Sequence, residues 1–142
     1  MNDAVGGKDD RMIRALVITH GNIGVELVRV TGLILGPVEG LSAMTNSGKS
    51  LADLRAEIDA WLAEGAASGA VGAVILVDDY GGSCATASQL ACGHEPTRAI
   101  ISGVNLAMLL GFLTWRENDE FAELVGRLVR KGREAITLVG GR

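Results

Sequence analysis

A chain of 142 residues with 48% hydrophobic side chains and 13 basic against 17 acidic groups, a net charge of −4, is the size of one domain. Such a domain removes roughly 68–70% of its unfolded surface from water, so its core needs neither disulfide nor metal. This much apolar side chain excludes disorder, and an acidic balance with 4% aromatic residues and no basic stripe excludes a nucleic-acid surface.

The first residues, 1–11, have no apolar stretch or cleavage signal and read as a flexible solvated tail, with 12–142 as a single domain held in the cytoplasm. Met12 to Thr19 is then a continuous apolar run except for Arg14, the pattern of a strand covered on both faces of a parallel sheet. Glu39 to Met44 is a weaker run and reads as an edge strand. Leu51, Leu54, Ile58, Trp61 and Leu62 follow helical spacing, with Ser50 as its cap and Gly65 where the helix should stop. Val71 to Val77 has no polar residue and is a second buried strand; a helix over Cys84 to Ala91 follows it, then a strand over Arg98 to Ser102.

The mean hydropathy of +0.30 raises the question of a membrane span. The longest uncharged run, Ala99 to Trp115, is broken by Gly103, Asn105 and Gly111 and falls short of the ~20 residues that a spanning helix needs. Within it Asn105 to Trp115 is a helix apolar nearly all round, which in a small chain predicts burial against a second subunit. Phe121, Leu124, Val125, Leu128 and Val129 mark another amphipathic helix, with Asp119 as cap or first-turn residue and Gly132 as stop, and Ala135 to Val139 reads as a last strand. The class is therefore α/β: a doubly wound, mainly parallel sheet in the order 2-1-3-4 plus a C-terminal strand, with helices on both faces. Pro37 and Pro96 fall in turns, and Trp61 and Trp115 read as core or interface residues.

In such a sheet ligands sit beyond the carboxyl ends of the strands, where strand order reverses. The turns there are Thr19-His20-Gly21-Asn22, Asp78-Asp79-Tyr80-Gly81-Gly82-Ser83 and Gly103-Val104-Asn105. The predicted order makes the first and third strands neighbours and puts His20 beside Asp78. A carboxylate that accepts the proton of one imidazole nitrogen leaves the other with its lone pair exposed, a nucleophile of fixed tautomer. Gly81, Gly82 and Ser83 precede a helix, so their N–H groups and the Ser83 hydroxyl offer an anion site beside it. Taken singly, the His and the Asp are ordinary turn residues; taken together, they suit a phosphoryl group on His20.

Other candidates compete. Ala43-Met44-Thr45-Asn46-Ser47-Gly48-Lys49-Ser50 looks like a P-loop with Ala43 in place of its first glycine, which would make Gly48, Lys49 and Ser50 nucleotide ligands and the strand ending at Asp78 a magnesium site. Its strand, however, is the least apolar of the set. Cys84 and Cys92 read as free thiols, and Cys92-Gly93-His94 with Cys84 matches no common metal spacing.

Three stretches together resemble a known family: Ala15-Leu16-Val17-Ile18-Thr19-His20-Gly21, Leu76-Val77-Asp78-Asp79-Tyr80-Gly81-Gly82-Ser83, and Gly103-Val104-Asn105-Leu106-Ala107-Met108-Leu109. They look like the IIA domain of the mannose (mannose–fructose–sorbose) class of the bacterial sugar phosphotransferase system, over about Met12 to Val139. The resemblance implies a phosphotransferase component without cofactor or metal. His20 would take phosphate from the histidine-containing phosphocarrier protein and pass it to a IIB domain, with Asp78 orienting the ring and Ser83 beside the phosphate. It also implies a homodimer whose last strand joins the partner's sheet, a role for Ala135 to Val139, and contact with a membrane permease at most peripheral. A regulatory module whose partner depends on His20 phosphorylation would use the same residues. Cys84 stands where the family commonly has a proline that opens the helix, and the chain reads as a free-standing IIA.

Overall fold

The computed structural model describes residues 12–141, so the tail expected over 1–11 lies outside them. The elements run β1 (Ile13–Thr19), α1 (Ile23–Leu35), β2 (Leu41–Thr45), α2 (Leu51–Ala67), β3 (Gly72–Val77), α3 (Ser83–Cys92), β4 (Arg98–Ser102), α4 (Leu106–Trp115) and α5 (Phe121–Glu134). The four strands form one parallel sheet in the order β2-β1-β3-β4. Register pairs Ile18 with Val77 and Thr19 with Thr45, so β1, β2 and β3 finish level with one another.

The period of two along β1 and β3 builds both cores. Leu16, Ile18, Ile75 and Val77 meet Leu54, Ile58 and Trp61 of α2 and Ala87 and Ala91 of α3 on one face. Ala15, Val17, Val74 and Leu76 meet Met108, Leu109 and Phe112 of α4 and Leu124 and Leu128 of α5 on the other. Small residues on α3 let it lie close to α2. Arg14, the one charged residue of β1, lays its guanidinium 4.3 Å from the Trp61 ring and donates to the Trp61 carbonyl at 2.9 Å and to Glu64 at 3.1 Å. Its stem is covered while its head keeps polar partners.

Three boundary expectations are corrected. The helix expected to stop at Gly65 continues to Ala67, and that expected to stop at Gly132 continues to Glu134. Both glycines serve close approach instead: a Cβ on Gly65 would overlap Arg14 Nη1, and one on Gly132 would lie 2.5 Å from Met108 Cε. Asp119 does not cap α5. Glu120 takes the cap position, while the Asp119 carboxylate accepts from Arg127 Nη1 at 3.1 and 3.2 Å. Ser50 does cap α2, in a reciprocal capping box with Asp53.

The expected strand over Ala135 to Val139 is absent. Ile136, Leu138 and Val139 are 85%, 68% and 95% exposed, because a strand needs a neighbouring backbone and this segment has none among the described residues. The apolar run of α4 is largely accounted for within the chain by α1, α5 and the sheet, with Leu106, Ala107 and Leu110 left half-buried. Trp61 is a core residue, as expected, and Trp115 is half-buried beneath the Arg127 guanidinium at 3.9 Å. Among the described residues no helix is long and apolar enough to cross a membrane.

Candidate functional site

The site is assembled at the carboxyl ends of β1, β2 and β3. The last residue of β1, Thr19, is fully buried and its Oγ1 accepts from the Gly24 N–H at 2.7 Å. That bond satisfies an otherwise free donor in the first turn of α1, where Asn22 makes no side-chain cap. Between them the backbone must reverse, and Gly21 does so at φ +57°. His20 is left at the rim with its side chain half exposed, 50%.

Because Ile18 pairs with Val77, the next residues out of β3 come level with those out of β1. Asp78 Oδ2 accepts the His20 backbone N–H at 3.0 Å and lies 3.0 Å from His20 Nδ1, with Oδ1 at 3.3 Å. The carboxylate thus holds both the main chain and the ring. Burial acts to raise the Asp78 carboxyl, but the hydrogen bonds from the His20 backbone and ring, together with the charge of the ring, outweigh it and hold the carboxyl below its ordinary value.

The far edge of the ring faces the start of α3. A Cβ on Gly82 would lie 2.9 Å from His20 Cε1 and 3.2 Å from Nε2, so this position has room for a hydrogen and little else. Gly82 is the cap residue of α3, whose first N–H groups have no carbonyl inside the helix. Ser83 and Gly81 are exposed on the same rim. The expected set of His20, Asp78, Gly81, Gly82 and Ser83 is therefore drawn together at one edge of the sheet.

Asn46 was not singled out on its own in the sequence and belongs to this rim. Its backbone N–H donates to the Thr19 carbonyl at 3.2 Å, and its Nδ2 donates to Ser83 Oγ at 3.4 Å. The signal was present: Asn46 follows a strand, at the same end of the sheet as His20. It was absorbed instead into the P-loop lookalike. Asn105, by contrast, does not join the site; its side chain caps α4 by accepting from the Met108 N–H at 3.0 Å and donates to the Gly132 carbonyl at 3.2 Å.

The P-loop lookalike is used otherwise. Ala43 and Met44 are still within the β2 ladder, at the sheet edge, so no loop has begun where a phosphate cradle would. Lys49 pairs with Glu57 at 2.8 Å, and the Ser50 hydroxyl is engaged by the Asp53 N–H at 3.0 Å. The metal grouping of Cys84 with Cys92 and His94 is not assembled either, since residues eight apart on α3 stand about 12 Å apart along its axis. Both cysteines are buried free thiols, and burial raises each thiol above its ordinary value, with the Asp78 charge adding to the effect at Cys84.

Comparison with known proteins agrees with this geometry. Residues 14–129 match the family described as EIIA-man, PTS system fructose IIA component. The mannose-specific EIIAB component of the PTS from Escherichia coli K12 is 32% identical over 128 residues, covering 88% of this chain and 39% of that protein, so the chain spans about two-fifths of the length of such relatives. Among solved structures, the phosphotransferase system component EIIA from Streptococcus agalactiae superposes with a TM-score of 0.80 at 23% identity, over 89% of this chain and 97% of that one. The mannose/sorbose-specific IIA subunit from Enterococcus faecalis gives 0.78 at 24% identity, over 92% and 97%. These two show a shared fold. With a family match over residues 14–129, which include every residue of the rim, the chain belongs to the EIIA-man family of PTS IIA components.

Proposed function

We propose that His20 is the phosphoryl carrier, accepting phosphate from a histidine-containing phosphocarrier protein and passing it to a IIB domain. The observation that carries this reading is the 3.0 Å contact between His20 Nδ1 and Asp78 Oδ2. With its proton held toward the carboxylate, Nδ1 leaves the Nε2 lone pair free. Nε2 attacks the donor's phosphorus in line; the donor's N–P bond breaks as the Nε2–P bond forms, and Asp78 offsets the positive charge that develops on the ring. The N–H groups opening α3, the Ser83 hydroxyl and the Asn46 amide supply donors for the phosphoryl oxygens. Positioning and fixed dipoles do most of the catalysis, because phosphoryl transfer offers a protein little covalent chemistry to assist. Onward transfer is the same step reversed, with the IIB nucleophile as acceptor.

The test is incubation with phosphoenolpyruvate, the general phosphotransferase enzyme and the phosphocarrier. An acid-labile, base-stable phosphate should appear on the wild type and be absent from His20→Ala; label retained by that variant would overturn the assignment. The same reading places the protein in the cytoplasm with its donor.

A homodimer is the second part of the proposal. Leu33, Ile34 and Leu35 of α1 are 71%, 54% and 48% exposed, as are the apolar residues beyond α5. Exposed apolar side chains in such number suit burial against another copy, in which the 135–139 segment could find the strand partner that the described residues of its own chain do not offer.

A further inference from the structure

Phosphoryl transfer leaves one residue of the rim without a task. Cys84 is the second residue of α3 and fully buried, yet its Sγ reaches the catalytic pair: a ring nitrogen of His20, a carboxylate oxygen of Asp78 and Cys84 Sγ all lie within 4.8 Å of one another. We propose that His20, Asp78 and Cys84 form a site for a borderline-soft divalent cation of the zinc type, whose occupancy excludes a phosphoryl group from His20.

The ligand chemistry selects the ion. Imidazole, carboxylate and thiolate together suit zinc, whereas magnesium and calcium take oxygen donors. Zinc at about 2.0–2.3 Å from tetrahedral ligands sets those ligands roughly 3.3–3.6 Å apart. The His20–Asp78 edge is already 3.0 Å, so rotation about the His20 and Cys84 side-chain bonds is what closes the set. The ion replaces the thiol proton, which leaves to water, while the neutral imidazole binds through a lone pair and keeps its one proton on the other ring nitrogen. Protein supplies three ligands, and the half-exposed ring gives the ion an entry path and leaves a fourth position to water. A proline at this position, common in the family that the sequence resembles, would offer no ligand, so the site is a property of this chain's own Cys84.

Cobalt(II) reports the site directly on the unphosphorylated full chain. Titration should give a thiolate-to-cobalt charge-transfer band in the near ultraviolet at one equivalent. Zinc should displace it and magnesium should not. The band should vanish in Cys84→Ala and Cys84→Ser and persist in Cys92→Ala, and zinc affinity, read by chelator competition, should fall at least about tenfold in Cys84→Ala. No band in the wild type, or an undiminished band in the Cys84 variants, overturns the proposal. The exclusion of phosphate rests on the phosphoryl-transfer reading: zinc should slow labelling of the wild type and leave Cys84→Ala unaffected. A cobalt band without any labelling would count against His20 as carrier, while labelling without a band would count against the metal site.

Discussion

Asp78 carries two jobs at one atom, since its Oδ2 takes the His20 backbone N–H and faces the ring nitrogen. Asp78→Asn keeps the shape but offers the ring a neutral partner with a donor as well as an acceptor, so the tautomer is no longer dictated. Phosphate acceptance should fall at least about tenfold, measured as the initial rate of label incorporation. The same carboxyl links stability to acid. Its folded value lies below the ordinary 3.8, so its contribution is complete above that value and is lost as pH falls through the lower folded one. The gap in urea midpoint between wild type and Asp78→Asn should hold steady from neutrality to about pH 4 and shrink below it. Gly82→Ala tests the other edge of the ring. Its backbone, at φ −97°, suits any residue, so the added methyl acts only by pressing on His20 Cε1. The variant should fold with near wild-type stability and transfer phosphate more slowly, with a shifted His20 ring resonance. These residues were legible because strand ends in a parallel sheet point to one rim. Asn46 was not, because Gly48, Lys49 and Ser50 imitate a phosphate loop and drew the reading away from the strand end that precedes them.

At the scale of elements, the cap of α2 separates the two uses of that loop. Ser50→Ala removes the hydroxyl that accepts the Asp53 N–H, while the backbone N–H that donates to the Asp53 carboxylate stays, and should lower stability by about 1 kcal/mol in urea unfolding, with phosphate acceptance at His20 unchanged. If the loop held a nucleotide, the same variant, and Lys49→Ala, would abolish magnesium-dependent ATP affinity; calorimetry should find none in the wild type. The helices and strands themselves were readable because their two patterns differ so clearly: β1, but for Arg14, and β3 are almost continuously apolar, while α2 and α5 carry apolar residues every three or four positions. What misled was glycine near a helix end. Gly65 and Gly132 look like stops by position, but a stop requires a backbone that leaves the helical region, whereas these two give room to Arg14 and Met108 from other elements. A contact that depends on a partner dozens of residues away leaves no mark in the local pattern. Gly93, at φ +57° and just past Cys92, is the stop of the kind expected.

At the scale of the whole molecule, the excess of apolar residues divides into two populations. The buried one fills both faces of the sheet; the exposed one gathers on the outer side of α1 and beyond α5, with Leu33 at 71%, Ile136 at 85% and Val139 at 95% exposure. The 135–139 segment is apolar but for Thr137 and reads as a strand in the sequence, yet it forms none here: pairing is not a property of one segment, and among the described residues no strand lies beside it. If a second copy supplies that neighbour, the segment contributes to association while contributing little to the fold of one chain. A variant ending at Glu134 should therefore keep the wild-type far-ultraviolet spectrum yet sediment as a monomer at concentrations where the full chain is a dimer. Its thermal midpoint should no longer rise with protein concentration, as mass action requires of a dimer that dissociates on unfolding. Leu33→Lys, which leaves the segment intact and charges the exposed face of α1, tells whether that face shares the same interface: dissociation in both variants joins the two patches, and dissociation in the truncation alone assigns the interface to the C-terminal segment.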